Sequence, residues 1–163
     1  MSTKIRSRLG RSAGLLAMAI ALVGGWEGVR TVAYPDRLAN GIPTVCFGET
    51  RGVKLGDEYT LEECKVMLGD ALTDFELGMR ACLKAPDSLP GKSYVAFLSA
   101  SYNIGVRAFC GSSMARLANA GDVAGACDAL LRWTRAAGRE VKGLVNRRKA
   151  ERALCLEGVK EGR

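Results

Sequence analysis

No histidine occurs among the 163 residues of the chain. Imidazole-activated nucleophiles and His-ligated metal centres are therefore excluded, and acid–base chemistry must fall to carboxylates. Aromatic residues are scarce, at 6%. The core must then be built mainly from Leu, Ala, Val and Met, which favours packed helices. A long membrane span is also lacking. The uncharged run from Ala13 to Trp26 holds fourteen residues, about 21 Å as a helix against a hydrocarbon core of roughly 30 Å. Its strongly apolar members (Leu15, Leu16, Ile20, Leu22, Val23) contribute about −2 kcal/mol on an insertion scale, so it inserts marginally.

What is present is positive charge and cysteine. A net charge of +7 attracts polyanions, whether nucleic acid, an anionic membrane surface or bacterial cell wall. No aromatic or Gly-rich recognition pattern accompanies the basic residues, which disfavours nucleic acid. Six cysteines without histidine point to a disulfide framework rather than zinc, hence to an oxidising compartment. The length suits one compact domain with two lobes.

The most informative stretch runs from Trp26 to Thr50. The apolar run ends at Glu27, alternating residues lead to Asp36, and Asn40-Gly41 is a hairpin signal that turns the chain back toward Thr44. Helix, strand, turn and strand are expected, with Glu27, Asp36 and Thr44 drawn toward one cleft. A carboxyl proton donor, a second carboxylate and a hydroxyl able to hold a water are what glycoside hydrolysis needs. The alternative is two ordinary surface carboxylates.

The pattern Glu27, eight residues, Asp36, a short turn, then Thr44-Val45-Cys46-Phe47-Gly48-Glu49-Thr50 resembles the phage-type lysozymes, endolysins that cut peptidoglycan. The resemblance implies that Glu27 is the general acid and that Asp36 and Thr44 position the attacking water. Two departures stand out. Seven residues, Arg37 to Pro43, separate Asp36 from Thr44, more than the family's usual interval. Glu49 also replaces a common histidine, so a local salt bridge is lost or rebuilt with Glu49 as its acid.

Further along, Thr60-Leu61-Glu62-Glu63 reads as a capping box opening a helix. Leu61, Cys64, Met67, Leu68, Leu72, Phe75 and Met79 keep helical spacing, as expected of the helix joining two lobes. Pro86 and Pro90 break the pattern, and a helix resumes from Ser93 to Asn103. Ser112 or Ser113 is an N-cap, and Asp122 caps a helix to about Arg135 with Val123, Cys127, Leu130, Leu131 and Trp133 inward. A polar loop Ala136–Arg139 and a last helix from Gly143 to about Leu156 follow. Tyr102-Asn103-Ile104-Gly105 and the Trp133, Gly143-Leu144, Arg147-Arg148, Glu151 series again resemble the phage lysozymes. That resemblance makes Tyr102, Asn103, Phe109 and Arg148 candidates for substrate binding; Asn103 has the alternative of a helix C-cap. Arg132, Arg135, Arg139, Lys142, Arg147, Arg148, Lys149 and Arg152 form a basic cluster, either a solvated face or a track for the anionic peptide stems.

The expected fold class is α+β, mainly α: a lysozyme-like two-lobe fold with a small hairpin lobe (27–59), a joining helix (60–81) and a larger helical lobe (82–163). Residues 1–26 form a basic arm and apolar segment. This segment is a cleaved signal peptide, a plain first helix, or a releasable signal anchor as in some endolysins that the chain resembles. Six cysteines allow fifteen pairings, among which sequence does not select. The one expected here joins neighbours, Cys46 with Cys64, Cys82 with Cys110 and Cys127 with Cys155, the alternative being six reduced thiols buried as small apolar side chains. The expected function is a muramidase cleaving the β-1,4 bond between N-acetylmuramic acid and N-acetylglucosamine, with inversion. A lytic transglycosylase and a non-enzymatic cationic membrane-active protein are the alternatives. No cofactor or metal, a monomer, and peptidoglycan as the partner are expected. So is export to the inner membrane and periplasm, the alternative being a cytoplasmic enzyme released through a holin.

Overall fold

The structure, a computed structural model, describes residues 7–162; the basic residues Lys4 and Arg6 lie outside them. The apolar run becomes helix α1 (Ala13–Glu27), capped by the Ser12 side chain and ended by Gly28 at φ 71°. Ala19 and Val23 are fully buried. Strands β1 (Arg30–Asp36) and β2 (Ile42–Cys46) pair antiparallel, with Tyr34 opposite Thr44 and Asp36 opposite Ile42. The connection is longer than a two-residue turn. A 3-10 turn (Arg37–Ala39) takes up the extra residues, and Asn40 and Gly41, both left-handed (φ 56° and 78°), close it.

Helix α2 (Leu61–Ala81) opens with the complete Thr60/Glu63 capping box. Helix α3 (Gly91–Ile104) is the centre of the larger lobe, buried continuously from Ser93 to Ser101. Around it lie α4 (Val106–Cys110), α5 (Ser113–Asn119), α6 (Val123–Ala129) and α7 (Lys142–Glu161). Ser112 and Asp122 cap α5 and α6 with their side chains.

Three sequence expectations are corrected here. Helix α6 stops at Ala129 and passes through a 3-10 turn (Leu130–Arg132), which leaves Leu131 40% exposed rather than inward. The expected polar loop is a hairpin of β3 (Arg135–Ala136) and β4 (Arg139–Glu140). Ala137 and Gly138 have φ of 50° and 77°, the left-handed pair that a tight hairpin of matching twist requires. Finally, α7 continues five residues past Leu156, to Glu161.

The chain before α1 is also anchored. Glu76 of α2 is fully buried, and its carboxylate accepts the Ser7 hydroxyl, the Arg8 and Leu9 backbone N–H groups and the Tyr94 hydroxyl. The Arg8 guanidinium donates to the carbonyls of Pro86 and Leu89, and Arg80 forms a two-pronged pair with Asp87. Three disulfides, Cys46–Cys64, Cys82–Cys110 and Cys127–Cys155, join neighbours in sequence. The first ties β2 to the start of α2; the others staple the helical lobe. Among the described residues no helix is long and apolar enough to cross a membrane.

Helices α3 and α7 approach so closely at Gly158 that a Cβ there would lie 2.7 Å from the Ser93 backbone nitrogen. Backbone cannot yield as a flexible side chain can. Gly158→Ala is expected to destabilise the fold by about 1–3 kcal/mol, measured as a lower urea midpoint with an unchanged slope.

Candidate active site

Glu27 is the last residue of α1, and the left-handed Gly28 turns the backbone away from it. Its side chain projects from the helix end and stays 27% exposed. One carboxylate oxygen accepts from Arg147 Nη1 at 2.6 Å. Arg147 reaches Glu27 from a buried position on α7: its Nε donates to Glu151 Oε1 at 3.1 Å and its Nη2 to the Ser99 carbonyl at 3.2 Å. Ser99 Oγ donates to the same Glu151 oxygen at 2.6 Å. Arg148 Nε lies 3.1 Å from Glu151 Oε2, and its Nη2 donates to Asn103 Oδ1 at 2.6 Å. Two acids and two guanidiniums thus form a neutral chain from the core to the surface at Glu27. Burial pushes the Glu151 carboxyl up and the Arg148 guanidinium down, and in each case the opposite charge beside it resists the shift.

Beside Glu27 lies a cavity of about 520 Å³ between the segment after β2 and helix α2, lined by Glu27, Phe47, Glu49, Met67, Phe75 and Tyr102 among others. Tyr102 donates to the Phe47 carbonyl at 3.3 Å and packs its ring on Phe75 with centroids 4.8 Å apart. Burial, reinforced by the charges of Glu27 and Glu49 and opposed by Arg147, pushes its phenol up to about 12. Tyr102 is therefore a neutral hydroxyl beside two carboxylates.

The hairpin holds the other two expected residues. Asp36 and Thr44 are on one face, since Asp36 pairs with Ile42 and side chains two apart on a strand point the same way. Asp36 Oδ1 accepts the Leu38 N–H at 2.9 Å. Thr44 is 3% exposed and donates to the Ile42 carbonyl at 3.0 Å. Neither lines the cavity beside Glu27. At the turn after β2 the salt bridge anticipated at Glu49 is rebuilt through Arg51, which lies 3.5 Å from Glu49 and 3.4 Å from Asp74 of α2.

Among the substrate-binding candidates, Tyr102 is in the cavity. Asn103 is exposed in the last turn of α3, its amide oxygen occupied by Arg148, and the helix is capped by Gly105 instead. Phe109 and Arg148 are corrected. Both are fully buried; Phe109 packs on Phe97 with centroids 6.1 Å apart, so neither offers a surface to a sugar. Arg147 and Arg148 likewise leave the basic cluster, because their charges are spent inside. The residues missed from sequence were Phe47, Glu151 and Ser99. An Arg-Arg-x-x-Glu spacing signals ion pairing along a helix, but it does not tell a buried pair from a solvated one.

A family model described as phage lysozyme matches residues 24–151. The chain is 37% identical over 169 aligned positions to a SAR-endolysin of Enterobacteria phage P21, covering 97% of this chain and 99% of that protein. Its structure is similar to that of a mutant P22 lysozyme, at 34% identity and a TM-score of 0.77 over 86% of this chain and 96% of that one. It also shares the fold of the active form of the P1 phage endolysin Lyz, with a TM-score of 0.75 at 23% identity over 90% and 94% of the two chains.

Arg148→Met removes one cation from the buried network and leaves Glu151 half-compensated and the Asn103 oxygen unbonded. A loss of about 3–5 kcal/mol is expected, read from urea melts. Replacing both partners, Arg148→Met with Glu151→Met, is expected to cost less than the single change, because no uncompensated charge remains between them.

Proposed function

The chain belongs to the phage lysozyme family, a muramidase that hydrolyses peptidoglycan in host lysis, and on that premise we propose the division of labour among its residues. Glu27 donates the proton to the glycosidic oxygen. The observation that carries this role is its half-open carboxyl at a cavity, aimed by a single hydrogen bond from a buried arginine. That bond leaves the second oxygen free to face the leaving group. Asp36 and Thr44 hold the attacking water from the hairpin, giving inversion, which needs carboxyls about 6.5–9.5 Å apart. Tyr102 packs against the sugar, and the Asn103 amide meets an N-acetyl group. The exposed cations Arg132, Arg135, Arg139, Lys142 and Lys149 attract the anionic peptide stems.

The division at residues 26 and 27 concerns membrane transit rather than packing. Residues 1–26 act as a releasable anchor and 27–163 as the catalytic domain. What supports an anchor is the exposed face of α1, where Ala13, Gly14, Ala17, Ala21, Gly25 and Trp26 meet solvent without one charge before Glu27. A helix that only ever faced water would carry polar residues there. The same run satisfies lipid on all sides, then packs on the core through Ala19 and Val23 once released. The protein is exported as a monomer and works in the periplasm, where its disulfides are at home.

Purified peptidoglycan treated with wild type and with Glu27→Gln tests the proposal. Wild type is expected to release reducing-end muropeptides and the variant to lose about 10²–10⁴-fold in rate. Equal clearing by the variant would remove Glu27 from its role. Anhydro products from wild type would instead indicate transglycosylation, and the anomer first released reports inversion or retention.

A further inference from the structure

The cavity beside Glu27 contains a carboxylate to which the division of labour gives no task. Glu49 follows a tight turn in which Val45 and Glu49 exchange both backbone hydrogen bonds at 2.9 Å. Cys46 and Gly48 within it have left-handed φ of 60° and 97°, and Cys46 is bonded to Cys64 of α2. The turn is therefore held rigidly against the joining helix. Glu49 Oε1 accepts the Thr50 and Arg51 backbone N–H groups, each at 2.9 Å, and lies 3.5 Å from Arg51 Nε. Among the described residues, Oε2 receives no hydrogen bond. The side chain is 15% exposed and lines the cavity. One oxygen fixes the group and the other is free.

We infer that Glu49 is a substrate-contacting residue of the cleft, whose Oε2 accepts a hydroxyl or N-acetyl N–H of an N-acetylglucosamine unit. The chemistry is complementary, since a carboxylate only accepts and a sugar ring with its acetamido group offers several donors. Because the turn is already ordered, binding incurs little of the usual ordering cost. Charge decides which ring is taken. With Glu27 paired to Arg147, Glu49 and Asp74 face the single cation Arg51 around the cavity, so its rim carries a net negative charge. A lactyl carboxylate is repelled there and a neutral N-acetylglucosamine ring is not. This selection depends on the cavity beside Glu27 being the saccharide cleft. It also explains how an acid replaces the family's common histidine at this position without loss of the fold, since Arg51 spans to Asp74 instead.

Equilibrium binding tests it, with two probes: the uncharged N-acetylglucosamine tetramer, and a peptide-free tetrasaccharide alternating N-acetylglucosamine with N-acetylmuramic acid. Glu27→Gln and Glu27→Gln/Glu49→Gln are compared, so that the glycan stays whole. Glutamine keeps an acceptor for the Thr50 and Arg51 N–H groups and presents a donor in place of Oε2. Loss of a charge-assisted hydrogen bond should weaken the uncharged tetramer about 10- to 100-fold, and the discrimination between the two probes should narrow. Unchanged affinity and unchanged discrimination would overturn the inference. Arg51→Met in the same background provides the structural control, because it breaks the ion pair but spares the carboxylate. A loss there equal to that of Glu49→Gln would assign the effect to turn placement and also overturn it. Failure of Glu27 as the acid would appear separately, in wall clearing, and leaves the binding difference readable.

Discussion

The bond from Arg147 to Glu27, spanning 120 residues of sequence, is the constraint to which the rest of the molecule answers. A guanidinium that is 5% exposed cannot stay buried without compensation, and Glu151, Ser99 and Glu27 supply it. Glu151 in turn requires Arg148, and Arg148 requires Asn103. The consequence is that the first helix, the central helix α3 and the last helix α7 are joined by one chain of paired charges. Buried ion pairs rarely add much net stability, but they penalise every arrangement that breaks them. Here the penalised arrangements are those in which Glu27 is misplaced.

The scaffold around this network is made stiff by local devices. Capped helices, the Arg80–Asp87 pair and the buried Glu76 carboxylate hold the ends of elements whose interiors are already fixed by packing. The disulfides lie outside the ion network and act on the chain between its members. Cys46–Cys64 is the one with a bearing on chemistry, because it fastens the turn that carries Phe47 and Glu49 to the wall of the cleft. Oxidation therefore shapes the cavity as well as stabilising the lobe.

Helix α1 carries no charge before its last residue. That residue is an ionisable group delivered to within hydrogen-bonding distance of a buried arginine. Where the helix faces water it shows mostly alanine and glycine, with Trp26 at its end 39% exposed. Alanine and glycine expose little apolar area, while Leu16, Ile20 and Val23 pack toward the core.

Much of this was legible along the chain. Absence of histidine assigned the chemistry to carboxylates, the order of helix, strand, turn and strand placed Glu27 at a helix end, and the Thr60 capping box marked the joining helix. These are local signals, encoded in spacings of two to four residues. Neighbour pairing of the cysteines was an expectation that the folded chain realises. What tertiary structure alone decided was burial and facing. Arg147 and Arg148 read as members of a basic surface, and only packing against α3 put them inside. Phe109 read as a cleft residue and proved to be core. Asp36 and Thr44 read as partners of Glu27, and the hairpin places the two on one face, while Phe47, Glu49 and Tyr102 line the cavity beside Glu27. The physical reason is that residue type and period determine which face of an element is apolar, but which charges lose their water depends on contacts between segments far apart in sequence.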